Sequence, residues 1–222
     1  MTFICFEGLD GTGKSTIANN VTELLKKNES KILYLDKKNP NIESTYVNNH
    51  LKQIKKVLWN YHKDDPLYEL GDYHWLHLNA SWFAALDNCV IKPLLEKNYI
   101  IIMDNWYYKL YARYKLKENF DSKLLDSSFG QLTKPDITIF LDIEPEISVN
   151  RRDDFSITET GNMDGLTGKT KDNYLRYQSK VRNQLLNLSN SNNWNRFDFS
   201  DIEENESTEI IYEFLKRKFS ND

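Results

Sequence analysis

Cysteine and long apolar runs are both scarce in this sequence. Cys5 and Cys89 are its only cysteines, and neither stands in a CxxC or Cys/His spacing. That pattern favours two reduced, buried cysteines over a disulfide. The most apolar later run, residues 99–103, has the length of a strand and cannot span a bilayer. Residues 3–6 are too short for a signal peptide, so we expect a cytoplasmic protein with no membrane partner.

An excess of either charge is also absent. The chain has 29 Lys and Arg against 33 Asp and Glu, a net charge of −4. This balance implies no general polyanion-binding surface, which disfavours extended nucleic acid as a partner. Hydrophobic residues make up 40% of the 222 positions, enough to bury a sizeable core. We therefore expect residues 1–222 to form one globular domain.

Short apolar runs alternate with helical patterns along the chain. Strands are predicted at residues 2–7, 32–35, 99–103, 136–141 and 196–199. Helices are predicted from residue 14 and over residues 44–60, 74–98 (bent near Pro93), 106–118, 145–152, 172–188 and 208–219. Residues 153–170 are polar and carry three glycines, which is typical of a functional lid or a disordered loop. The alternation predicts an α/β fold with a parallel sheet and ligands at the carboxyl ends of its strands.

A glycine-rich loop follows the first predicted strand. Residues 8–15 read GLDGTGKS and fit the pattern GxxxxGK[ST] at every fixed position. Glycines let the loop wrap around phosphates, so that successive backbone N–H groups point at the anion. Lys14 is predicted to reach the β- and γ-phosphates, and the Ser15 hydroxyl to ligate Mg²⁺. The candidate nucleotide-binding residues are Gly8, Asp10, Gly11, Thr12, Gly13, Lys14, Ser15 and Thr16.

Further charged residues are candidates for catalysis beside Lys14. Asp104 ends the third predicted strand and is expected to join Ser15 at the metal, with helix capping as the alternative. Asp10 is expected to contact Mg²⁺ or the acceptor, with a solvated turn as the alternative. Arg151 and Arg152 end the helix before the lid, where an arginine can stabilise the charge of a phosphoryl-transfer transition state. Their alternative role is local, because basic residues stabilise helix C-termini.

Several of these segments resemble the thymidylate kinase family of nucleoside-monophosphate kinases. Residues 6–16 look like the family's opening, and residues 38–40 stand where it has an Arg-Glu-Pro turn. Further similar segments are residues 91–95, 135–146, 180–182 and 197–200, so the resemblance spans nearly the whole chain. It implies a P-loop NTPase fold with five parallel strands in the order 2-3-1-4-5. It also implies ATP as donor, a lid over the phosphates and, as in many members, a homodimer.

The acceptor side departs from that family's pattern. After the third strand the family has Asp-Arg, whereas this chain has Asp104, Asn105 and Trp106. The family's arginine in the preceding helix would fall near Phe83. Its thymine-reading serine and glutamine would fall in the segment 109–111. The candidate acceptor-pocket residues are Lys38, Phe83, Asn105, Trp106, Lys109 and Tyr111.

These departures leave the identity of the acceptor undecided. Gly11 replaces a loop arginine of some family members, and the resemblance then assigns the catalytic arginine to the lid, as Arg151 or Arg152. Lys38, Lys109 or Arg113 could partly replace the missing acceptor arginines, although lysine does not reproduce the bidentate arginine fork. The aromatic residues between 73 and 111 pack as core or form a pocket for a planar group. The default reading is an ATP- and Mg²⁺-dependent kinase of dTMP. The alternatives are a kinase of another acceptor and an ATP-binding regulatory protein with little turnover.

Overall fold

Five parallel strands form the sheet on which the molecule is built. The structure, a computed structural model, describes residues 1–62, 65–150 and 154–220. Within these ranges the strands are β1 (Thr2–Gly8), β2 (Ile32–Leu35), β3 (Ile100–Asp104), β4 (Ile137–Asp142) and β5 (Asn195–Asp198). They lie in the order β2-β3-β1-β4-β5, and every neighbouring pair is parallel. The α/β class and the strand order expected from the sequence are confirmed.

Helices cover both faces of this sheet. On one face Leu76 and Trp82 pack with Phe3 of β1, and on the other Ile17 packs with Leu215. Because both faces are buried, the strands are continuously apolar. The helices of the described part are α1 (Lys14–Leu25), α2 (Thr45–Trp59), α3 (Gly71–Leu86), α4 (Lys92–Glu96), α5 (Tyr108–Tyr114), α6 (Ser122–Gly130), α7 (Pro145–Asn150), α8 (Lys171–Ser191) and α9 (Glu204–Ser220). None of these helices has the length and apolar character needed to cross a membrane.

The long helix predicted over residues 74–98 is interrupted just before its proline. A π-helical turn, Asp87–Ile91, separates α3 from α4. Pro93 has no backbone N–H and its ring crowds the preceding turn, so the backbone widens there. The buried carboxylate of Asp87 accepts from Lys92 at 2.9 Å and from the Thr133 backbone N–H at 3.3 Å. The bend near Pro93 stays a prediction, and the widened turn was not predicted.

The helix α6 has no counterpart among the predicted elements. Its nine residues carry few apolar positions, of which Leu125 and Phe129 are buried. The Asp121 side chain caps its first turn by accepting from the backbone N–H groups of Lys123 and Leu124. Such a short amphipathic stretch gives a weak periodic signal, and packing against α3 decides its structure. The helix predicted over residues 106–118 is correspondingly shorter, because α5 ends at Tyr114.

The register of the sheet brings the strand ends together around the glycine-rich loop. Phe6 of β1 lies opposite Asp104 of β3, and Gly8 lies opposite Leu141 of β4. The loop of residues 9–13 therefore leaves the sheet between two strands that end at the same edge. In a parallel sheet with reversed strand order this edge is the usual ligand crevice.

Candidate functional site

The glycine-rich loop joins β1 directly to the first turn of α1. Gly13 has a left-handed backbone, φ 80°, at the N-terminal end of α1. A Cβ atom at Gly8 would lie 2.5 Å from the Leu141 carbonyl oxygen, so only glycine fits there. The loop and helix N-terminus thus present backbone N–H groups to an anion. Thr16, also predicted to bind the nucleotide, lies exposed in the first helical turn.

Lys14 is folded onto this loop. Its ammonium group donates to the Leu9 carbonyl and lies 3.2 Å from the Thr12 hydroxyl oxygen. Burial, together with the positive charge of Lys109, lowers the pKa of Lys14 to about 7. A phosphate group is a much better partner for an ammonium than a loop carbonyl. Lys14 is therefore placed to exchange its loop contacts for an anionic ligand.

Ser15 and Asp104 come together at the mouth of the crevice. The Ser15 hydroxyl donates to one oxygen of Asp104, and the Tyr34 hydroxyl donates to the other at 2.9 Å. Burial acts to raise the pKa of Asp104, but the charge of Lys37 and the two hydroxyl donors hold it below its ordinary value. The pair therefore offers an ionised carboxylate and a hydroxyl oxygen, which are ligands that Mg²⁺ prefers.

The described residues hold no cluster of three or more His, Cys, Asp or Glu side chains with metal-ligand spacing. Mg²⁺ is usually held by one or two carboxylates and completed by substrate phosphates and water. The donor set of Ser15 and Asp104 fits this pattern.

Lys37 is a half-buried cation that was not among the predicted site residues. Its ammonium group donates to the Asn105 carbonyl at 2.8 Å. Burial, and after it the charge of Lys109, lowers the pKa of Lys37 to about 8. Asn105 itself has a left-handed backbone, φ 53°, which asparagine tolerates better than most residues. The only signal for Lys37 was its place at the end of β2.

Asp10 links the loop to α5. Its carboxylate accepts from Lys109 at 2.5 Å and from Arg113 at 3.1 Å. Burial by itself raises the pKa of Asp10, but the charges of Lys109 and Arg113 outweigh it and hold that pKa well below its usual range. Two cations on one carboxylate leave positive charge for another anion. Asp10 is therefore a paired residue and not a solvated turn.

These residues surround a cavity of about 700 Å³ between the strand ends, α3, α5 and the loop of residues 154–170. The volume lies within the range of sites for nucleotide-sized ligands. Both cationic and aromatic side chains line it. Its walls include Lys37, Lys38, Lys109, Arg113, Trp59, Tyr61, Phe83 and Trp106.

A second cavity, of about 640 Å³, lies on the opposite side of the loop. Gly11, Thr12 and Gly13 form one wall, and residues 199–205 form another. The glycine-rich loop thus borders two spaces, each large enough for a nucleoside. An arrangement with one anion-binding loop between two such spaces suits transfer of a phosphoryl group from one nucleotide to another.

Most of the predicted acceptor residues meet in the larger cavity, and one does not. Lys38, Phe83, Asn105, Trp106 and Lys109 line it. Tyr111 instead donates to Asp126 and lines a separate cleft with Phe129. Residues two positions apart on a helix point to different sides, whereas Lys109 and Arg113, four apart, share one side. Arg151 and Arg152, predicted as catalytic, lie outside the described residues.

Comparison with known proteins gives consistent results. A sequence model of the family described as thymidylate kinase matches residues 6–210. The chain is 34% identical over 149 residues to a probable thymidylate kinase from Archaeoglobus fulgidus, 67% of each chain. It is 29% identical over 226 residues to a thymidylate kinase from Aster yellows witches'-broom phytoplasma, covering 97% and 95% of the two chains. The fold matches that of a Candida albicans thymidylate kinase with a TM-score of 0.68 and 21% identity, over 100% and 93% of the chains.

Proposed function

The chain belongs to the thymidylate kinase family of ATP-dependent nucleotide kinases, and we propose that it transfers the γ-phosphoryl group of ATP to dTMP in the larger cavity. The observation that carries the proposal is the contact of Ser15 with Asp104 at the mouth of a cavity that is also lined by cations. In the reaction, an oxygen of the acceptor phosphate bonds to the γ-phosphorus. The bond from that phosphorus to the bridging oxygen breaks, and ADP leaves.

The donor half is assigned to the glycine-rich loop. Its backbone N–H groups hold the phosphates of ATP, and Lys14 leaves the Leu9 carbonyl to contact the β- and γ-phosphates. The adenosine end lies in the second cavity, beside residues 199–205. Ser15 and Asp104 would hold Mg²⁺, which when bound supplies charge neutralisation at the phosphate oxygens.

The acceptor half is assigned to cations that stand in for the family's arginines. Lys37 and Lys109 line the cavity and are assigned to the acceptor phosphate. A charge-assisted hydrogen bond contributes about 1.5–3 kcal/mol, so two of them are enough to hold a phosphate. Asp10 fixes Lys109 and Arg113 in place. The aromatic side chains of Phe83 and Trp106, which pack edge to face at 5.1 Å, form an apolar wall for the rest of the acceptor.

The test is ADP release coupled to dTMP. We expect ADP release to depend on dTMP and to saturate with it. Lys14→Ala should lower kcat by at least about a hundredfold, because the negative charge of the transition state loses the Lys14 ammonium as a hydrogen-bond donor. Lys27→Ala is the matched control, since Lys27 is exposed beyond the end of α1 and should leave kcat unchanged. Undiminished turnover in Lys14→Ala would overturn the donor assignment. A lack of stimulation by dTMP would overturn the acceptor assignment.

A further inference from the structure

A side chamber of about 160 Å³ opens from the larger cavity. The two spaces share a rim of side chains, so the chamber directly adjoins the cavity. The rim consists of Trp59, Tyr61, Asn79, Leu110, Arg113 and Thr158. A ligand seated in the larger cavity can therefore extend into the chamber.

The chamber lies at the end of the cavity away from the reacting phosphates. Ser15, Lys37 and Asp104 line the larger cavity and not the chamber. The acceptor phosphate must approach the γ-phosphate near Ser15 and Asp104, because the donor loop ends there. This placement rests on the function proposed above. It puts the base of the acceptor, and not its phosphate, at the rim of the chamber.

Much of the chamber's wall is aromatic or apolar, beside the charged residues Asp72, Arg113, Lys117 and Asp164. The aromatic and apolar residues include Leu67, Trp75, Tyr114, Met163 and Tyr177. An apolar cavity of about 150 Å³ is known to hold a benzene-sized molecule, so this space can take one additional ring. Aromatic walls favour a planar group, which stacks or packs edge-on against them.

One polar group of the rim lacks a partner. The Nε–H of Arg113 is buried and makes no hydrogen bond to any residue that the structure describes. Its Nη2 is engaged by Asp10, which fixes the orientation of the guanidinium. A buried donor without an acceptor costs about 1–3 kcal/mol, and a shift of the guanidinium toward a carbonyl oxygen or ring nitrogen of a ligand would remove that cost.

The chamber is held open by an ion-pair network in its wall. The Lys117 ammonium donates to the Met163 carbonyl at 2.9 Å and pairs with Asp164 at 2.7 Å and with Asp72 at 2.8 Å. These contacts join the short 3₁₀ helix Asn162–Asp164 to the start of α3. A wall fixed before binding lowers the entropic cost of binding.

We propose that the acceptor site takes deoxynucleoside monophosphates whose base is extended by one further ring, with that ring in the chamber. The phosphoryl transfer is the same as for dTMP: the acceptor phosphate oxygen gains the γ-phosphoryl group and ADP leaves. A thymine base leaves the chamber unfilled. The extended ring replaces water there and buries apolar surface against Leu67 and Met163.

Two acceptors distinguish the possible sources of the extra ring. dGMP carries it within a purine that offers acceptor atoms, and 5-phenyl-dUMP carries it as an apolar substituent. We expect at least one of the two to be phosphorylated with a kcat/KM within about tenfold of that for dTMP. If both fall more than a hundredfold below dTMP, the proposal is overturned.

A variant that fills the chamber tests the location. Met163 lines the chamber and not the larger cavity, so Met163→Trp should lower kcat/KM for the ring-extended acceptor by at least about tenfold and leave dTMP within about threefold. Met163→Leu conserves volume and is the control. Leu67→Phe fills the chamber from another element and replaces Met163→Trp if that variant does not fold. Equal effects on dTMP and on the extended acceptor, or no effect on either, would overturn the proposal.

The proposal about the chamber can be overturned independently of the proposed function. If the wild type does not phosphorylate dTMP, the proposed function fails. The chamber is then judged by calorimetric binding of 5-phenyl-dUMP. Binding that Met163→Trp weakens at least tenfold supports it, and binding that is absent or insensitive to Met163→Trp overturns it.

Discussion

At the scale of single residues, the proposed acceptor side depends on a half-buried lysine. Lys37 lies at the end of β2 and faces Glu7 of β1, Asp104 of β3 and Lys109 of α5, with Lys38 beside it. Burial and the nearby Lys109 outweigh the two carboxylates, so its pKa falls to about 8. Lys37 therefore changes its charge in a range where ordinary lysines stay protonated.

The pH dependence of dTMP binding should follow this residue. Because the protonated form binds the phosphate dianion, raising the pH through 8 removes charge, and the KM for dTMP should rise between pH 7 and pH 9.5 at saturating ATP. Lys37→Arg keeps its charge over this range and should show a flat profile. Lys37→Met should raise the KM by about ten- to a hundredfold at pH 7. Steady-state kinetics measures both, and an equal slope in wild type and Lys37→Arg would contradict the assignment.

At the scale of elements, the loop of residues 154–170 is tied down by one cation. Lys117 is 10% exposed and joins Asp72 of α3 to Asp164 of the loop. Its ion pairs are more shielded from salt than surface pairs, so they are stronger. Nearer the start of the loop, the Glu159 backbone carbonyl accepts from Gln178 of α8. The segment is thus a folded wall of the cavity, and its closure over the phosphates as a lid stays a prediction.

Removing this cation should loosen the loop. We expect Lys117→Met to lower the free energy of unfolding by about 1–3 kcal/mol, because Asp72 and Asp164 lose their partner. Amide hydrogen exchange should become faster in residues 154–170 and stay unchanged in α1 and α9, which pack on the other face of the sheet. Lys216→Met is the control, since Lys216 pairs with Glu213 on the surface and should change stability by less than about 0.5 kcal/mol. Unchanged exchange in the loop would contradict the role of Lys117.

At the scale of the whole molecule, one continuous sheet connects all the parts of the site. The loop follows β1, Asp104 ends β3 and Lys37 follows β2, and these three strands are neighbours. Helices on both faces bury the strands in two large apolar clusters. We therefore propose that residues 1–222 fold as one unit. The homodimer expected from the family resemblance stays a prediction.

Thermal unfolding should then show one transition. Calorimetry should give equal calorimetric and van't Hoff enthalpies, because breaking the sheet exposes both clusters at once. ATP with Mg²⁺ at a hundred times its Kd should stabilise the fold by about 2.7 kcal/mol and raise Tm by about 5–10 °C. In Lys14→Ala, ATP with Mg²⁺ should raise Tm much less. The Tm of this variant without nucleotide should stay close to that of the wild type. Two separate transitions would contradict a single folding unit.

Local patterns were enough to predict the donor half. The strand, the glycine-rich loop and the following helix are contiguous, so spacing alone placed Lys14 and Ser15 on one phosphate-binding turn. The end of a buried strand likewise predicted Asp104, and the structure brings it to Ser15. The family and the strand order, both taken from the resemblance, are confirmed. The helix α6 was not predicted, because its short pattern is decided by packing.

The sequence by itself determined most of the elements and the parallel sheet, and it predicted a phosphate-binding loop, because these depend on periodicity and on contiguous residues. Only the tertiary structure decided the acceptor side. Asp10 meets Lys109 and Arg113, which lie 99 and 103 residues further along the chain. The side of α5 on which Tyr111 lies points away from the larger cavity, and burial lowers the pKa of Lys37. Which side chains meet across such separations depends on the packing of the helices on the sheet, and no local spacing records it.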